Sequence, residues 1–470
     1  MAKPVTRAAA HPASFRDRTG RVFEAEGEII RVLSVSGAEE FRWLKGSGAL
    51  ESLVESGALI ECTEADPREF SFEHGIPDPA LVLRHPRIPF ISHPYEWPFR
   101  ALQCAAIHHL ELHLAALEHG ATLTDATAYN IQFRGARPVF IDVSSLRRYR
   151  DGELWLGHRQ FCEQFLNPLL LEAVVGIPFQ NWYRGCLEGI PADQLVRVLP
   201  WRSKLDWRVL AHVVVQSRLQ SAASQKKPDE LAAAARRRFP RAGFASMLKQ
   251  LLRWIRGLNP AGLKASTWSD YETSRTYDEP ALRAKMEFVS DFVTATKPRL
   301  MWDFGCNAGE YSLAALRCGA EYVVGFDFDR GALDEAFRRS REHRAAFLPL
   351  LLDAANPSPR QGWRQAERAG ILERGPCDAV LALAFEHHLT IARNVPIPSF
   401  LDWLTGLGRS GVVEFVEKQD PTVQRMLALR EDIFDDYTLA SFEQALSARA
   451  RIVRRTQLPV HTRHLFWYER

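Results

Sequence analysis

A chain of 470 residues is too long for one ordinary hydrophobic core, so two domains are the expectation. Its 46% hydrophobic and 25% charged residues suit a globular fold and lack the bias of a disordered chain. A formal net charge of +3, from 60 Lys+Arg against 57 Asp+Glu, argues against a dedicated nucleic-acid-coating surface. The 7 cysteines (Cys62, Cys104, Cys162, Cys186, Cys306, Cys318 and Cys377) form no CxxC pair, so neither a zinc ribbon nor a disulfide framework is expected. The N-terminus "MAKPVTRAAAHPASFRDRTG" has no apolar core of a signal peptide, and no later run is long and apolar enough to span a bilayer. A soluble, cytoplasmic protein with reduced thiols is the expectation.

In chain order, "PFISHPYEWP" (Pro89 to Pro98) precedes a helix expected from about Phe99 to His119. "TLTDATAYNIQFRGARPVFIDVSS" then offers Asp125, Asn130, a hairpin with "RGAR" at its tip, and Asp142 at the end of the second arm. An acid to orient a hydroxyl, with an Asn and a second acid to hold magnesium, is the phosphotransfer arrangement. The spacing resembles the catalytic and metal-binding loops of protein-kinase-like and aminoglycoside-phosphotransferase-like folds. That resemblance implies an α+β kinase-like domain over residues 1–219, with ATP and magnesium as candidate ligands at Asp125, Asn130 and Asp142. The departures are the missing glycine-rich phosphate loop, the missing Val-Ala-x-Lys strand, and Val143-Ser144 in place of Phe-Gly. The competing expectation is a scaffold kept to bind substrate or the other domain.

Residues 220–265 read as a connector. "QSAASQKKPDELAAAARRRFPRAG" is polar, Ala-rich and basic, and after it Phe244, Met247, Leu248, Leu251, Leu252, Ile255 and Leu258 recur on one helix face. Lys249, Arg253 and Arg256 fall on other faces. Packing between the domains is the first expectation for this helix, and peripheral contact with an anionic membrane, aided by Trp254, is the second. "STWSDYETSRTY" follows, where Trp268, Tyr271 and Tyr277 suit a lid or a docked linker.

From Leu300 onward, apolar strand-like runs alternate with helical stretches. Strands are expected at "RLMWDFG", "YVVGFDF", "AAFLPLLLD", "DAVLALAF", "GVVEFVE", "RIVRRTQL" and "HLFWYE". Helices are expected around Glu310 to Cys318, Arg330 to His343, Trp363 to Glu373, Phe400 to Leu407 and Pro421 to Arg430. This alternation predicts an α/β domain over residues 266–470, a mostly parallel sheet closing on an antiparallel pair. Gly305 and Gly309 after the first strand let backbone approach a ligand at a helix N-terminus. Asp327 ends the second strand, where an acid accepts from both ribose hydroxyls. The pattern D-x-G-x-x-x-G places Asp303 where a pyrophosphate would be repelled and a cationic ligand welcomed. The loop resembles motif I of class I S-adenosylmethionine-dependent methyltransferases, with Asn307 where that family often has glycine. The resemblance implies a Rossmann-like, seven-stranded methyltransferase sheet. It also implies that Asp303, Gly305, Asn307 and Gly309 line the methionine part of S-adenosylmethionine, that Asp327 holds the ribose, and that Asp353 meets the adenine amino group.

Ligands of open α/β sheets bind beyond the carboxyl ends of the strands, so the exit of strand four, "LALAFEHHLTIARNVPIP", should face the transferred methyl. It carries Glu386, His387 and His388, and either histidine suits a base that takes the acceptor's proton. Glu414 inside an apolar strand is a third catalytic candidate, since a carboxylate there needs a partner. No further ligand set accompanies these groups, so no metal is expected. "LTDATAYNIQFRGARPVFID", "WDFGCNAGEYS" and "REDIFDDYT" together resemble a bacterial family of large methyltransferases related to the nodulation host-specificity methyltransferase. The expectation is methyl transfer to an oxygen or nitrogen of a small-molecule, glycan or lipid-like acceptor, without nucleic acid. A bifunctional or purely phosphotransferring enzyme, and a non-catalytic S-adenosylmethionine sensor, are the alternatives.

Overall fold

The computed structural model describes residues 5–73, 79–217, 239–262, 279–428, 430–459 and 462–470. The polar part of the connector and the aromatic segment with Trp268, Tyr271 and Tyr277 lie outside the described residues.

In the N-terminal half, β1 (Thr6–Ala10), β2 (Gly20–Ala25), β3 (Glu28–Leu33), β4 (Thr63–Ala65), β5 (Phe70–Phe72) and β6 (Leu81–His85) form a six-stranded sheet in the order β4-β6-β3-β2-β1-β5. The period of a strand explains what β3 does. Ile30 and Val32 enter a small core with Phe23, Phe70 and Val82, which leaves Arg31 on the opposite face. The helix Val35–Gly46 follows, started by Ser34, whose side chain accepts from the Gly37 N–H. The expected helix after "PFISHPYEWP" runs Phe99–Glu118 and is buried along most of its length. Beyond it lie β7 (Ala121–Leu123), the hairpin of β8 (Ile131–Arg134) with β9 (Arg137–Phe140), and β10 (Leu146–Arg148), which pairs with β7.

The amphipathic helix forms over Arg241–Arg256 and packs on Phe99–Glu118. Its stripe of Phe244, Leu248, Leu251, Leu252, Trp254 and Ile255 is buried, and Gln103 Nε2 donates to the carbonyls of Ile255 and Leu258, both at 2.8 Å. Lys249, Arg253 and Arg256 stay exposed. A membrane contact through this helix would have only that basic face to use.

The C-terminal half is a seven-stranded sheet of β11 (Leu300–Phe304), β12 (Tyr322–Asp327), β13 (Phe347–Leu351), β14 (Cys377–Ala382), β15 (Gly408–Val416), β16 (Arg451–Gln457) and β17 (Arg463–Glu469). Its order is β13-β12-β11-β14-β15-β17-β16, with the first five strands parallel and β17 antiparallel to both neighbours. Order reverses beside β11, which makes the carboxyl ends of β11, β12 and β14 the natural ligand edge. Each expected strand is present. The helix expected from Trp363 to Glu373 is not. Two 3-10 turns, Trp363–Gln365 and Leu372–Arg374, replace it, with Gly362, Arg364 and Gln365 at positive φ. Its side chains are engaged by the other half instead: Arg16 Nε reaches Glu367 at 2.6 Å, and Arg374 pairs with buried Glu96 at 2.5 Å.

The two halves share one apolar core. The Phe90 ring packs edge-on against Trp302 at 5.8 Å, and Phe133 against Phe337 at 5.9 Å. The "RGAR" tip is pressed onto the C-terminal half. Gly135 has φ +61°, its N–H donates to Tyr322 Oη at 3.0 Å, and a Cβ there would lie 2.2 Å from the Ala345 carbonyl. Among the described residues, no helix is long and apolar enough to cross a membrane.

Candidate functional site

At the carboxyl end of β11 the chain turns through Gly305 (φ +75°), Asn307 (φ +48°) and Gly309 (φ +80°) into the helix Glu310–Arg317. Both its left-handed backbone and packing keep Gly309 bare, since a Cβ there would lie 2.3 Å from Phe347 Cε1. At Gly305 the left-handed backbone is the reason, with Phe385 3.2 Å from the position of a Cβ. The asparagine tolerates left-handed geometry better than most residues, which is how this loop manages without a further glycine.

The acids around the loop carry the clearer ligand signal. Asp303 is buried and accepts from Ser312 Oγ at 2.6 Å. Burial, with the nearby Asp327 charge, pushes its carboxyl up to about 6. Asp327 accepts from the Asn307 N–H and the Asp329 N–H, both at 2.9 Å, one on each oxygen. Burial raises it too, against those backbone N–H groups. Each oxygen keeps capacity for a second donor. Lys285 acts on Asp303 but is paired with Glu414, so the two acids remain short of positive charge, and a cationic ligand relieves that. Beside them Phe328 is 67% exposed, an apolar face at the ligand edge that the sequence reading passed over. Asp353 stands at the rim, with Ala355 N–H donating to it at 3.0 Å and Arg393 3.6 Å away.

At the exit of β14, Glu386, His387 and His388 open the helix Glu386–Arg393. Glu386 is fully buried, with Thr390 Oγ1 at 2.9 Å, Val416 N–H at 3.1 Å and Tyr437 Oη at 2.5 Å around its carboxyl. Tyr437 Oη also lies 2.6 Å from the Val416 carbonyl, which can only accept. One phenolic proton cannot serve both contacts. Donation to the carbonyl leaves Glu386 to supply a proton itself, in line with burial pushing its carboxyl up to about 7. His387 is buried, and its Nδ1 has no hydrogen-bond partner. His388 is only half-buried, its ring 4.4 Å from that of His387. Burial lowers both imidazoles, so they stay neutral and able to accept a proton.

Glu414 has its partners, and they lie inside the fold. Lys285, from the helix Glu279–Thr296, reaches Oε2 at 2.5 Å, the Ala384 N–H donates to the same oxygen at 2.8 Å, and Arg463 approaches Oε1 at 3.4 Å. Arg463 in turn holds Asp420 at 2.7 Å. This buried chain of alternating charge ties β15 to β17 and to the exit loop of β14, next to His387.

The N-terminal acids also come together. Asn130 Nδ2 lies 3.4 Å from both oxygens of Asp125 and from Asp142 Oδ2, and Ser145 Oγ sits 2.8 Å from Asp125 and 2.6 Å from Asp142. Burial and the Asp142 charge push Asp125 up to about 6. Burial acts upward on Asp142 as well, yet Arg31 with Ser144 and Ser145 holds it below the usual carboxylate range. Arg31 Nη1 is 2.7 Å from Asp142 Oδ1 and 2.8 Å from Ser144 Oγ. The sequence reading found no lysine strand and overlooked this arginine, although a cation inside "EIIRVL" was the available signal.

With this geometry, the protein is of mixed α/β class, and methyltransferases are among its structural neighbours. The magnesium protoporphyrin IX methyltransferase of Synechocystis PCC 6803, solved with bound SAH, is 18% identical at a TM-score of 0.30, covering 40% of this chain and 84% of that one. No family model matches the chain. Nodulation protein NoeA of Rhizobium meliloti (strain 1021) is 46% identical over 457 residues, 97% of this chain and 95% of its own length. The chain belongs to the NoeA family of nodulation proteins. A shorter stretch of 79 residues, 17% of this chain and 26% of the relative, is 35% identical to the ribosomal protein L11 methyltransferase of Burkholderia multivorans (strain ATCC 17616 / 249).

Proposed function

We propose that this protein is a cytoplasmic S-adenosylmethionine-dependent methyltransferase acting on an oxygen or nitrogen of a small-molecule, glycan or lipid-like acceptor. In this reading residues 266–470 are the Rossmann-like methyltransferase domain, residues 1–219 a kinase-like domain that selects or presents the acceptor, and residues 220–265 the connector. The observation that carries it is the pair of acids at the loop, buried Asp303 and partly buried Asp327, both raised by burial, beneath a left-handed turn at the reversal of strand order. Their chemistry fits a ligand bearing a sulfonium and an α-amino group, with a ribose on Asp327, the adenine ring against Phe328 and its amino group toward Asp353.

When bound, the cofactor supplies a methyl group on a sulfonium for in-line transfer. The chain's own part is positioning and proton management. His388, neutral and half-exposed, takes the proton from the acceptor hydroxyl or amine. His387, packed against it, sets its orientation. The buried Lys285–Glu414–Arg463–Asp420 chain fixes the exit loop on which both depend, and this makes Glu414 a positioning residue rather than the base. The functional test is incubation of the purified chain with methyl-labelled S-adenosylmethionine and fractionated bacterial glycan and lipid extracts. Labelled product that falls sharply with His388→Ala supports the reading. Cofactor binding without any labelled product would favour a sensing protein instead.

Arg31 favours a second reading, in which Asp125, Asn130 and Asp142 hold ATP and magnesium. Arg31 would take the place of the lysine that such sites place on a strand. ATP with magnesium should then raise the unfolding temperature of the wild type and leave Asp142→Asn unchanged; no shift in the wild type returns this domain to acceptor binding alone.

A further inference from the structure

A second cluster lies behind the Asp125 loop, apart from both sites above. The helix His158–Phe161 continues into a π-helical turn, Cys162–Leu166, and the i,i+4 spacing sets His158 and Cys162 on one face. A second π-helical turn, Leu210–Val214, brings His212 against them. His158 Nε2 lies 3.0 Å from His212 Nδ1 and 3.7 Å from Cys162 Sγ, and the three atoms are all within 4.8 Å of one another. Around a tetrahedral zinc ion, with Zn–N about 2.0–2.1 Å and Zn–S about 2.3 Å, neighbouring nitrogens stand roughly 3.3 Å apart and nitrogen and sulfur roughly 3.6 Å. The two spacings from His158 Nε2 need little adjustment to reach these values. Two π-turns meeting at one point add to the case, because such turns concentrate at functional sites.

We infer that His158, Cys162 and His212 form a metal site for a thiophilic divalent ion such as zinc, with the fourth position left to water. Two imidazoles and a thiolate are donors that zinc accepts and that magnesium and calcium do not favour. Cys162 is buried and His158 half-exposed, so the ion reaches the site from the His158 side. Trp155 and Trp254 flank it, with ring centroids 5.6 Å from His158 and 6.2 Å from His212. The ion would pin the Leu210–Val214 turn to the helix on which the Asp125 loop rests. That loop is held there already: Gln160 Oε1 accepts from the Ala126 N–H at 2.8 Å, and a Cβ on Gly157 would lie 3.1 Å from the Asp125 carbonyl carbon. The sequence reading raises no expectation of a metal here, because the absent CxxC pair speaks only against a zinc ribbon and the ligand question is put only to Glu386, His387 and His388. The H-x-x-x-C spacing on one helix was the signal it missed.

The test uses the untagged full chain. Elemental analysis after dialysis should find about one equivalent of zinc, and cobalt titration of the metal-free protein should give the near-ultraviolet thiolate-to-cobalt charge-transfer band together with tetrahedral d–d bands. Cys162→Ser should lose the charge-transfer band. His212→Ala should weaken cobalt binding beyond the roughly 10–100-fold that outer-shell changes cost. His158→Cys keeps a ligand at the position and should strengthen the charge-transfer band, which guards against a serine variant that merely misfolds. No retained metal and no cobalt band in the wild type would overturn the assignment, leaving a neutral histidine pair that shares one proton. A band unchanged in Cys162→Ser would overturn it as well.

Discussion

The two acid clusters of this molecule are built on the same residue type and solved differently. At the N-terminal cluster Asp142 faces the guanidinium of Arg31 at 2.7 Å and is held ionised, while Asp125 beside it keeps its proton until about pH 6. At the C-terminal loop Asp303 and Asp327 are held by a serine hydroxyl and by backbone N–H groups, and burial raises both. The first cluster carries part of its own counter-charge. The second has only Lys285 near Asp303, a lysine already paired with Glu414, and leaves the rest to a ligand. A carboxylate pair short of internal positive charge suits a cationic ligand.

The largest expected effect is on the buried charge chain that stands behind the second cluster. Glu414→Gln leaves Lys285 and Arg463 buried without their common partner and should lower stability by about 3–5 kcal/mol in urea unfolding. A stable variant that has lost only turnover would restore Glu414 as a catalytic group. His388→Ala should reduce turnover by roughly 100-fold with cofactor affinity kept, because general-base contributions are of that order. In the wild type the acidic limb of kcat should fall below the ordinary histidine value of 6.5, since burial lowers His388. A limb above that value would contradict a neutral, half-buried base.

A smaller effect sharpens the contrast in protonation. Glu386 is raised to about 7 from an ordinary 4.5, so the folded state holds more protons than the unfolded one between those values. Its contribution is present below pH 4.5 and lost as pH rises through 7. Glu386→Gln should therefore flatten the decline of stability across that window, read from unfolding midpoints at successive pH values.

The sequence showed the second region more fully than the first. The strands of the C-terminal sheet were legible because parallel strands buried on both faces read as continuous apolar runs. The loop acids were legible because they fall at strand ends. Asp125, Asn130 and Asp142 were also found, since a turn and a hairpin keep them close. What the sequence could not show lies in long-range partners. Arg31 meets Asp142 across the sheet-to-loop boundary, Lys285 and Arg463 reach Glu414 from distant elements, and His212 approaches Cys162 from another helix. The stretch from Trp363 to Glu373 misled for the same reason: its helical pattern gave way to contacts with Arg16 and Glu96 that only the packed halves provide.

The measurement that bears most directly on the central claim is calorimetric titration with S-adenosylmethionine at pH 6, in two buffers of different ionisation enthalpy, for the wild type and Asp327→Ala. A bound cation favours the ionised form of Asp303, so binding should release protons near the pH where that carboxyl titrates, about 6. Binding with proton release is expected in the wild type, and an affinity roughly 10–100-fold weaker in the variant, the scale of a lost charged hydrogen bond. No binding to the wild type, or equal binding to both proteins with no proton released, would contradict that claim.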